Sequence, residues 1–394
     1  MDLSQTYSPF RSVLLREWRR MTSRRLYFGV CIVLPLFTLF FMATIFGNGQ
    51  MENIPIGIID QDNTATSRAI TRNISAVPTF KVVKHYVNEA AAREAVQKKE
   101  IYGYLSIPPR FEQNAITGKN ATLSYYYHYA LLSVGGELMA AFETSLAPVS
   151  LSPIIMEAVS LGADQQQITT FLLPVQANNH PIYNPSLDYS VYLSQPFFFV
   201  LFQVLILLTT VYTVGIEIKF RTATDWLATA KGNMITAVLG KLLPYTFIYI
   251  LIGWLGNYVM FGILHIPFQG SWWLINMITV LFVIATQALG LFIFSLFPAV
   301  SLVISVVSMV GSLGATLSGV TFPVSNMYPL VRDASYLFPV RHFTEIIQTM
   351  LYGGGGFIYL WPSMVILCIF PLLVLSLLPH LKRAIESHKY ENIK

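Results

Sequence analysis

The pattern of apolar and polar positions divides the chain into one apolar run near the N-terminus, a long stretch of mixed polarity, and five further apolar runs in the second half. The six runs are Leu26 to Phe46, Phe197 to Ile216, Leu242 to Leu264, Trp272 to Phe297, Val300 to Val320 and Phe357 to Leu378, and none contains Asp, Glu, Lys or Arg. A helix rising about 1.5 Å per residue needs about 20 residues to cross about 30 Å of hydrocarbon, so each run is long enough to span a bilayer. Ahead of the first run, Pro9 to Arg24 repeats apolar residues at Phe10, Val13, Leu14, Trp18 and Met21, a helical spacing with arginines on much of the opposite side. That pattern predicts a helix in the membrane interface, serving as an anchor or as a docking surface for a cytoplasmic partner.

The long stretch after the first run opens with Ile54 to Ile59, a short apolar segment ending at Asp60 and a polar turn, which reads as a buried strand. Phe80 to Tyr86, Ile101 to Ile107 and Thr122 to Tyr129 read as further strands. Helices are expected from Ser67, over Glu89 to Lys99, and from Gly136 to about Leu173. This alternation predicts a small α/β domain. After the fifth run, Thr321 to Tyr352 is too polar to span and too apolar for an ordinary linker; its prolines at 323, 329 and 339 suit broken helices that dip partly into the outer leaflet. The fifth run pairs small residues four apart, at Ser301 and Ser305, Ser308 and Ser312, Gly311 and Ala315, and Gly314 and Ser318. Such faces let helices approach closely, and packing within the subunit is favoured over a subunit contact. Lys241, at the near end of the third run, is expected to snorkel and so avoid an insertion penalty of roughly 3 kcal/mol.

Composition agrees with a bilayer environment, with 54% hydrophobic and 11% charged residues against about 25% charged in an average soluble domain. Thirteen basic residues predict the orientation: Arg11, Arg16, Arg19, Arg20, Arg24 and Arg25 before the first run, Lys219, Arg221 and Lys231 between the second and third, and Lys382, Arg383, Lys389 and Lys394 in the tail. Lys and Arg near span ends are retained in the cytoplasm, so both termini are expected there and the α/β domain on the opposite side. The net charge of +5 is therefore a membrane-orientation signal and not a nucleic-acid footprint, because residues 51 to 188 carry nine basic and twelve acidic side chains. Both cysteines, Cys31 and Cys368, fall inside apolar runs, which leaves the inserted domain without a disulfide or a cysteine metal site. The first run, at 21 residues, exceeds the usual 7 to 15 of a cleavable signal and is expected to be retained.

Several chemistries are missing from the sequence. The apolar runs carry no ladder of carboxylates for proton relay or ion coupling, so uphill transport would draw its energy from elsewhere. Gly118-Lys119 is followed by Asn120 and Gly240-Lys241 by Leu242, neither of which completes a phosphate-binding loop. His128 and His180 stand alone, without ligand-like neighbours. Asp60, Asp62, Arg68 and Arg72 are read as a solvated turn and helix start, and Gly353 to Gly356 as a hinge.

Taken together, the basic interfacial helix, the large insert between the first two runs, the charged Glu217 to Asn233 loop, and Gly319-Val320-Thr321-Phe322-Pro323 with Met327 and Pro329 resemble the membrane subunits of type-2 ABC exporters, over essentially the full chain. Two positions depart from that pattern: Arg221-Thr222 stands where the family often has Gly-Thr, and Tyr328 separates Met327 from Pro329. The resemblance implies a polytopic α-helical membrane protein with six transmembrane helices, an N-terminal interfacial helix and an α/β extracytoplasmic domain between helices 1 and 2. Its parts would be residues 1–25, interfacial helix; 26–46, helix 1; 47–195, extracytoplasmic domain; and 196–394, helices 2 to 6, with a coupling loop at 217–233, an outer broken-helix segment at 321–356 and a cytoplasmic tail at 380–394.

The implied role is that of a permease subunit in the bacterial inner membrane, moving an amphipathic, drug-like or lipid-like substrate outward. ATP and Mg would sit on separate cytosolic ABC ATPase subunits, and a second permease copy or homologue would complete the membrane unit. A periplasmic adaptor and outer-membrane channel, and membrane lipid, are further expected partners, with no nucleic acid. ATPase coupling is expected at Arg16, Arg19, Arg20, Glu217, Lys219, Arg221, Thr222, Asp225 and Lys231. The substrate path would be lined by Phe198, Phe202, Leu205, Thr209, Ser308, Ser312 and Thr316, and the outer gate would be Gly319, Phe322, Pro323, Met327 and Pro329. The competing reading is a membrane sensor or scaffold with a ligand-binding extracytoplasmic domain.

Overall fold

A computed structural model describes residues 8–47, 49–117, 119, 121–160, 184, 188–353 and 357–387. Gly118, Asn120, His180, Gly354 to Gly356, Lys389, Lys394 and the part of the expected helix beyond residue 160 lie outside the described residues. The chain forms two compact units, Met1–Gly49 with Pro181–Lys394, and Gln50–His180.

In the first unit, six helices are long and apolar enough to cross a membrane: Arg25–Ile45, Ser190–Lys219, Met234–Ile263, Trp272–Leu296, Val300–Leu317 and Phe357–Glu386. The second and fourth are central, about two-thirds buried, whereas the first, fifth and sixth are a third buried or less. Proline shapes two of them. Widened π-helical turns at Gly29–Val33 and Ser190–Ser194 immediately precede Pro35 and Pro196, whose missing N–H and bulky ring disturb the preceding turn. The sixth span runs to Glu386 rather than ending at Leu378, because Leu381, Ala384 and Ile385 continue its buried stripe. Lys382 and Arg383 thus lie in its last turns, where cations complement the helix dipole.

Helix α1, Pro9–Ser23, packs on the third span through Val13, Glu17 and Met21, while Phe10 and Trp18 remain exposed. The buried stripe therefore differs from the one expected: it admits Glu17 and leaves out Trp18. The approach is close, since a Cβ at Gly240 of the third span would lie 3.0 Å from the Val13 side chain and 3.2 Å from the Phe10 carbonyl.

The second unit is an α/β domain whose sheet has the order β2-β1-β3-β4, with β1 Ile54–Asp60, β2 Phe80–His85, β3 Gly103–Ile107 and β4 Ser124–Tyr127. β1 pairs in parallel with β2 and β3, and β3 pairs antiparallel with β4, Leu105 facing Tyr125. Ile56, Ile58, Leu105 and Ile107 pack on one face against Ile70, Ile74, Leu138 and Phe142 of helices Ala65–Ser75 and Leu132–Ser160. Ile59 and Tyr104 pack on the other against Ala92 and Ala95 of helix Glu89–Gln97. Asp60 and Asp62 act as local fasteners. Asp60 accepts the amides of Asp62 and Asn63 and the Ser67 hydroxyl, while Asp62 accepts the Thr64 hydroxyl and the Glu112 amide.

Beyond the fifth span, Gly319 turns the chain with φ +86°, and two short helices follow, Pro329–Ser335 and Pro339–Gly353, each beginning at a proline whose absent N–H costs nothing there. His342, outside the six spans, is fully buried, donating from Nε2 to the Tyr336 carbonyl at 3.0 Å with Arg341 Nη1 3.3 Å from Nδ1. Burial, reinforced by the Arg341 charge, lowers its pKa from 6.5 to about 4. Between those values the unfolded chain binds the proton and the folded chain does not, so stability falls as pH falls through this window. Thermal unfolding of the purified protein from pH 7 to pH 4.5 is expected to show a loss at acid pH that is smaller in His342→Gln.

A buried charge network as the candidate functional site

The most unusual side chains in the membrane unit are three fully buried ionisable residues, Glu17, Glu217 and Lys241. α1 contributes Glu17, the last turn of the second span contributes Glu217, and the second turn of the third span contributes Lys241. Lys241 Nζ lies 2.6 Å from Glu17 Oε2 and 2.8 Å from Glu217 Oε1. The Tyr245 hydroxyl, one turn along the third span, donates to Glu17 Oε1 at 2.7 Å. Arg16 Nη2 reaches Glu217 Oε2 at 3.0 Å, and the Arg20 guanidinium pairs with both oxygens of Glu217. The Thr222 hydroxyl also donates to Glu217 Oε2, and its amide donates to the Glu217 carbonyl at 2.8 Å.

Three formal positive charges thus surround two negative ones, with Lys241 and both carboxylates buried and Arg16 and Arg20 partly exposed at the edge. Desolvating isolated charges costs several kcal/mol each, and the cluster tolerates it because each carboxylate oxygen meets at least one donor. Lys241 does not snorkel. With two carboxylates within reach, the ammonium is satisfied inside the protein, and it also lies over the Trp226 ring, 5.3 Å from the centroid.

Trp226 belongs to a short helix, Ala223–Thr229, in the second-to-third connection, and its indole N–H donates to the Ala237 carbonyl at 3.2 Å. That helix is bracketed by Arg221 at φ +57° and by Lys231 at φ +53° with Gly232 at φ +76°. The left-handed conformation is free to glycine and strained by about 1 kcal/mol elsewhere, which gives a physical reason for a glycine at the Arg221 position in the pattern this chain resembles.

The residues singled out from the sequence therefore separate into two groups. Arg16, Arg20, Glu217 and Thr222 are brought together in the network; Glu217 is an internal residue of a spanning helix and not a loop acid. Arg19, Lys219, Arg221, Asp225 and Lys231 are exposed around it. Glu17 and Tyr245 were missed, and Lys241 was read as a snorkelling anchor and not as a member of a site. The signal available was charge out of place: Glu17 is the single acid of α1 and sits within its apolar stripe, and Lys241 is the single charge in the body of the third span.

Of the expected path residues, Phe198, Phe202 and Thr209 are buried within the subunit, Phe198 against Gly256, Phe202 edge-on to Tyr249, and Thr209 accepting the Tyr249 hydroxyl at 2.7 Å. Leu205 is half-buried, whereas Ser308, Ser312 and Thr316 are exposed along the fifth span. The small residues of that span divide likewise. Gly311 and Gly314 pack on Val204 and Gln203 of the second span, while Ser301 and Ser305 face outward with Ser308 and Ser312. Around the expected gate, the Tyr192 hydroxyl donates to the Val320 carbonyl next to Gly319; Phe322, Pro323 and Pro329 are exposed and Met327 is half-buried.

Six candidate spans, an N-terminal helix locked to two of them, and a short connecting helix at the same end make this a multi-pass membrane protein. Residues 25–378 match the family described as ABC-2 family transporter protein, and the chain belongs to that family. Among similar curated proteins of Escherichia coli K12, the probable multidrug ABC transporter permease YbhS is 29% identical over 122 residues, covering 30% of this chain and 32% of that protein. The inner membrane transport permease YhhJ is 30% identical over 105 residues, 26% of this chain and 27% of its own length, so the chain matches about a third or less of these two relatives. The probable multidrug ABC transporter permease YbhR is 23% identical over 367 residues, 92% of each chain.

Removing one member of the network leaves the others charged and buried, which typically costs about 3–5 kcal/mol. Lys241→Met is expected to lower the unfolding temperature strongly, and Glu17→Gln in that background to restore part of the loss, with a coupling energy of at least about 1 kcal/mol in thermal unfolding of the four-protein cycle.

Proposed function

We propose that this chain is the membrane permease subunit of an ATP-binding-cassette exporter of the bacterial inner membrane. Two permease copies, or this chain and a homologue, would stand on two separate cytosolic ATPases that hold ATP and Mg, with both termini in the cytoplasm and the α/β domain outside. The observation that carries this reading is the charge network. It ties α1 and the Ala223–Thr229 helix to the ends of the second and third spans, so a push on either element moves both spans. Arg19, Lys219, Arg221, Asp225 and Lys231 surround that junction as an exposed, charged rim of the kind that suits a soluble partner.

The substrate path would use the exposed Ser308, Ser312 and Thr316 of the fifth span, a face whose small polar residues suit close approach of a second subunit or a polar cargo group. An amphipathic or lipid-like cargo fits that mixture of hydroxyls with the neighbouring Met309 and Leu313. The inserted domain would hand cargo to a periplasmic adaptor or gate its exit.

Tagged protein extracted in mild detergent is expected to carry a near-stoichiometric ABC ATPase with vanadate-sensitive ATP hydrolysis. Arg221→Glu with Lys231→Glu is expected to reduce that attachment roughly tenfold or more while leaving the fold intact, because both residues are exposed. Intact protein without an ATPase would contradict the reading. In a Cys31→Ser, Cys368→Ser background, Ser308→Cys or Ser312→Cys is expected to crosslink two permease copies under oxidation; exclusively monomeric product would remove the fifth span from the subunit interface.

A further inference from the structure

Where α1 ends and the first span begins, the chain encloses a cavity of about 490 Å³ whose polar wall is Thr22, Ser23, Arg24 and Arg25 and whose inner wall includes Phe28 and Ile32. A second cavity of about 240 Å³ lies between the first, second and fifth spans and is walled by Leu26, Val30, Leu208 and Ile304. Tyr27 and Cys31 line both, so the two cavities adjoin, one with a cationic wall and the other apolar. Tyr27 is 2% exposed, yet its hydroxyl has no hydrogen-bond partner among the described residues. A buried hydroxyl left unpaired is unfavourable by about 1–3 kcal/mol, so a group that supplies an acceptor there would be held. Arg24, which precedes the 21-residue first span, gives it no side-chain cap, and the Tyr27 amide is taken up by the Arg24 carbonyl at 3.1 Å.

We propose that these paired cavities bind one anionic phospholipid from the leaflet that meets the N-terminal end of the first span. Its phosphate would lie on Arg24 and Arg25, a glycerol or ester oxygen on the Tyr27 hydroxyl, and an acyl chain along Leu26, Val30, Leu208 and Ile304. The charge selects the occupant: two arginines, of which Arg24 sits 5.9 Å from the Phe220 ring, face the polar chamber, and no carboxylate lines either cavity. A lipid seated there clamps the joint between α1 and the first span to the membrane. The site adjoins the charge network, since the Tyr27 ring lies 6.0 Å from that of Tyr245, and the proposal stands whether or not the chain works as an exporter.

The test is native mass spectrometry of the full-length protein extracted from vesicles of equal phosphatidylglycerol and phosphatidylcholine with matched acyl chains. Wild type is expected to retain one phosphatidylglycerol in preference to phosphatidylcholine by roughly tenfold, given the attraction of two arginines near a membrane surface. Arg24→Gln with Arg25→Gln should abolish the preference, Arg24→Lys with Arg25→Lys should keep most of it, and Leu208→Trp, which fills the apolar chamber, should reduce retention of both lipids. Equal retention of the two lipids by wild type, or unchanged retention in the glutamine variant, overturns the proposal. If the glutamine variant fails to fold, unchanged lipid retention in Leu208→Trp overturns it instead.

Discussion

A lysine sealed from water between two carboxylates sets the conditions for the rest of the membrane unit. Lys241 needs both Glu17 and Glu217, because neither an ammonium nor a carboxylate is tolerated alone in a dry, packed environment. The two acids come from chain positions 200 residues apart, so satisfying the lysine fixes where α1 lies, how the second span ends and where the third begins. Geometry then limits the alternatives. Gly240 leaves no room for a side chain beneath Val13, and Trp226 closes the cluster from the connecting helix, so α1 is held by shape as well as by charge.

That arrangement makes this end of the bundle a mechanical unit. Arg16 and Arg20 of α1 grip the same carboxylate that Thr222 caps in the next connection. Motion imposed on the Ala223–Thr229 helix is therefore shared by α1 and by two spans, one of which is central to the bundle. Toward the opposite end of the bundle the construction is looser: short helices starting at Pro329 and Pro339 follow a left-handed glycine, and the fifth span keeps a row of serines unpacked. A firm junction thus lies at one end and short, proline-started helices at the other.

Much of this was legible in the sequence because hydrophobic length is a strong signal. The six spans, the four strands and the helical spacing of α1 all rest on local patterns, and the boundaries moved chiefly where buried residues such as Leu381 and Ile385 extended a span past the last long apolar run. The network was only half legible. Arg16, Arg20, Glu217 and Thr222 stood out as charged or polar residues near span ends, but their meeting point depends on Glu17 and Lys241, whose burial is decided by a partner elsewhere in the chain. Phe198, Phe202 and Thr209 illustrate the same limit from the other side: a residue's position on a span gives its periodicity, while the face it presents to neighbours emerges only from the packing of the second span against the third and fourth.

The central claim is that α1 and the connecting helix move as one body because Lys241 joins them. Hydrogen–deuterium exchange of the wild type and of Lys241→Met in a lipid bilayer tests it most directly. The account predicts that amides of Pro9–Ser23 and of Ala223–Thr229 gain exchange together when the lysine is lost, because both elements depend on the same buried charge. Loosening confined to the third span around residue 241, with α1 and the connecting helix as protected as in the wild type, would contradict it.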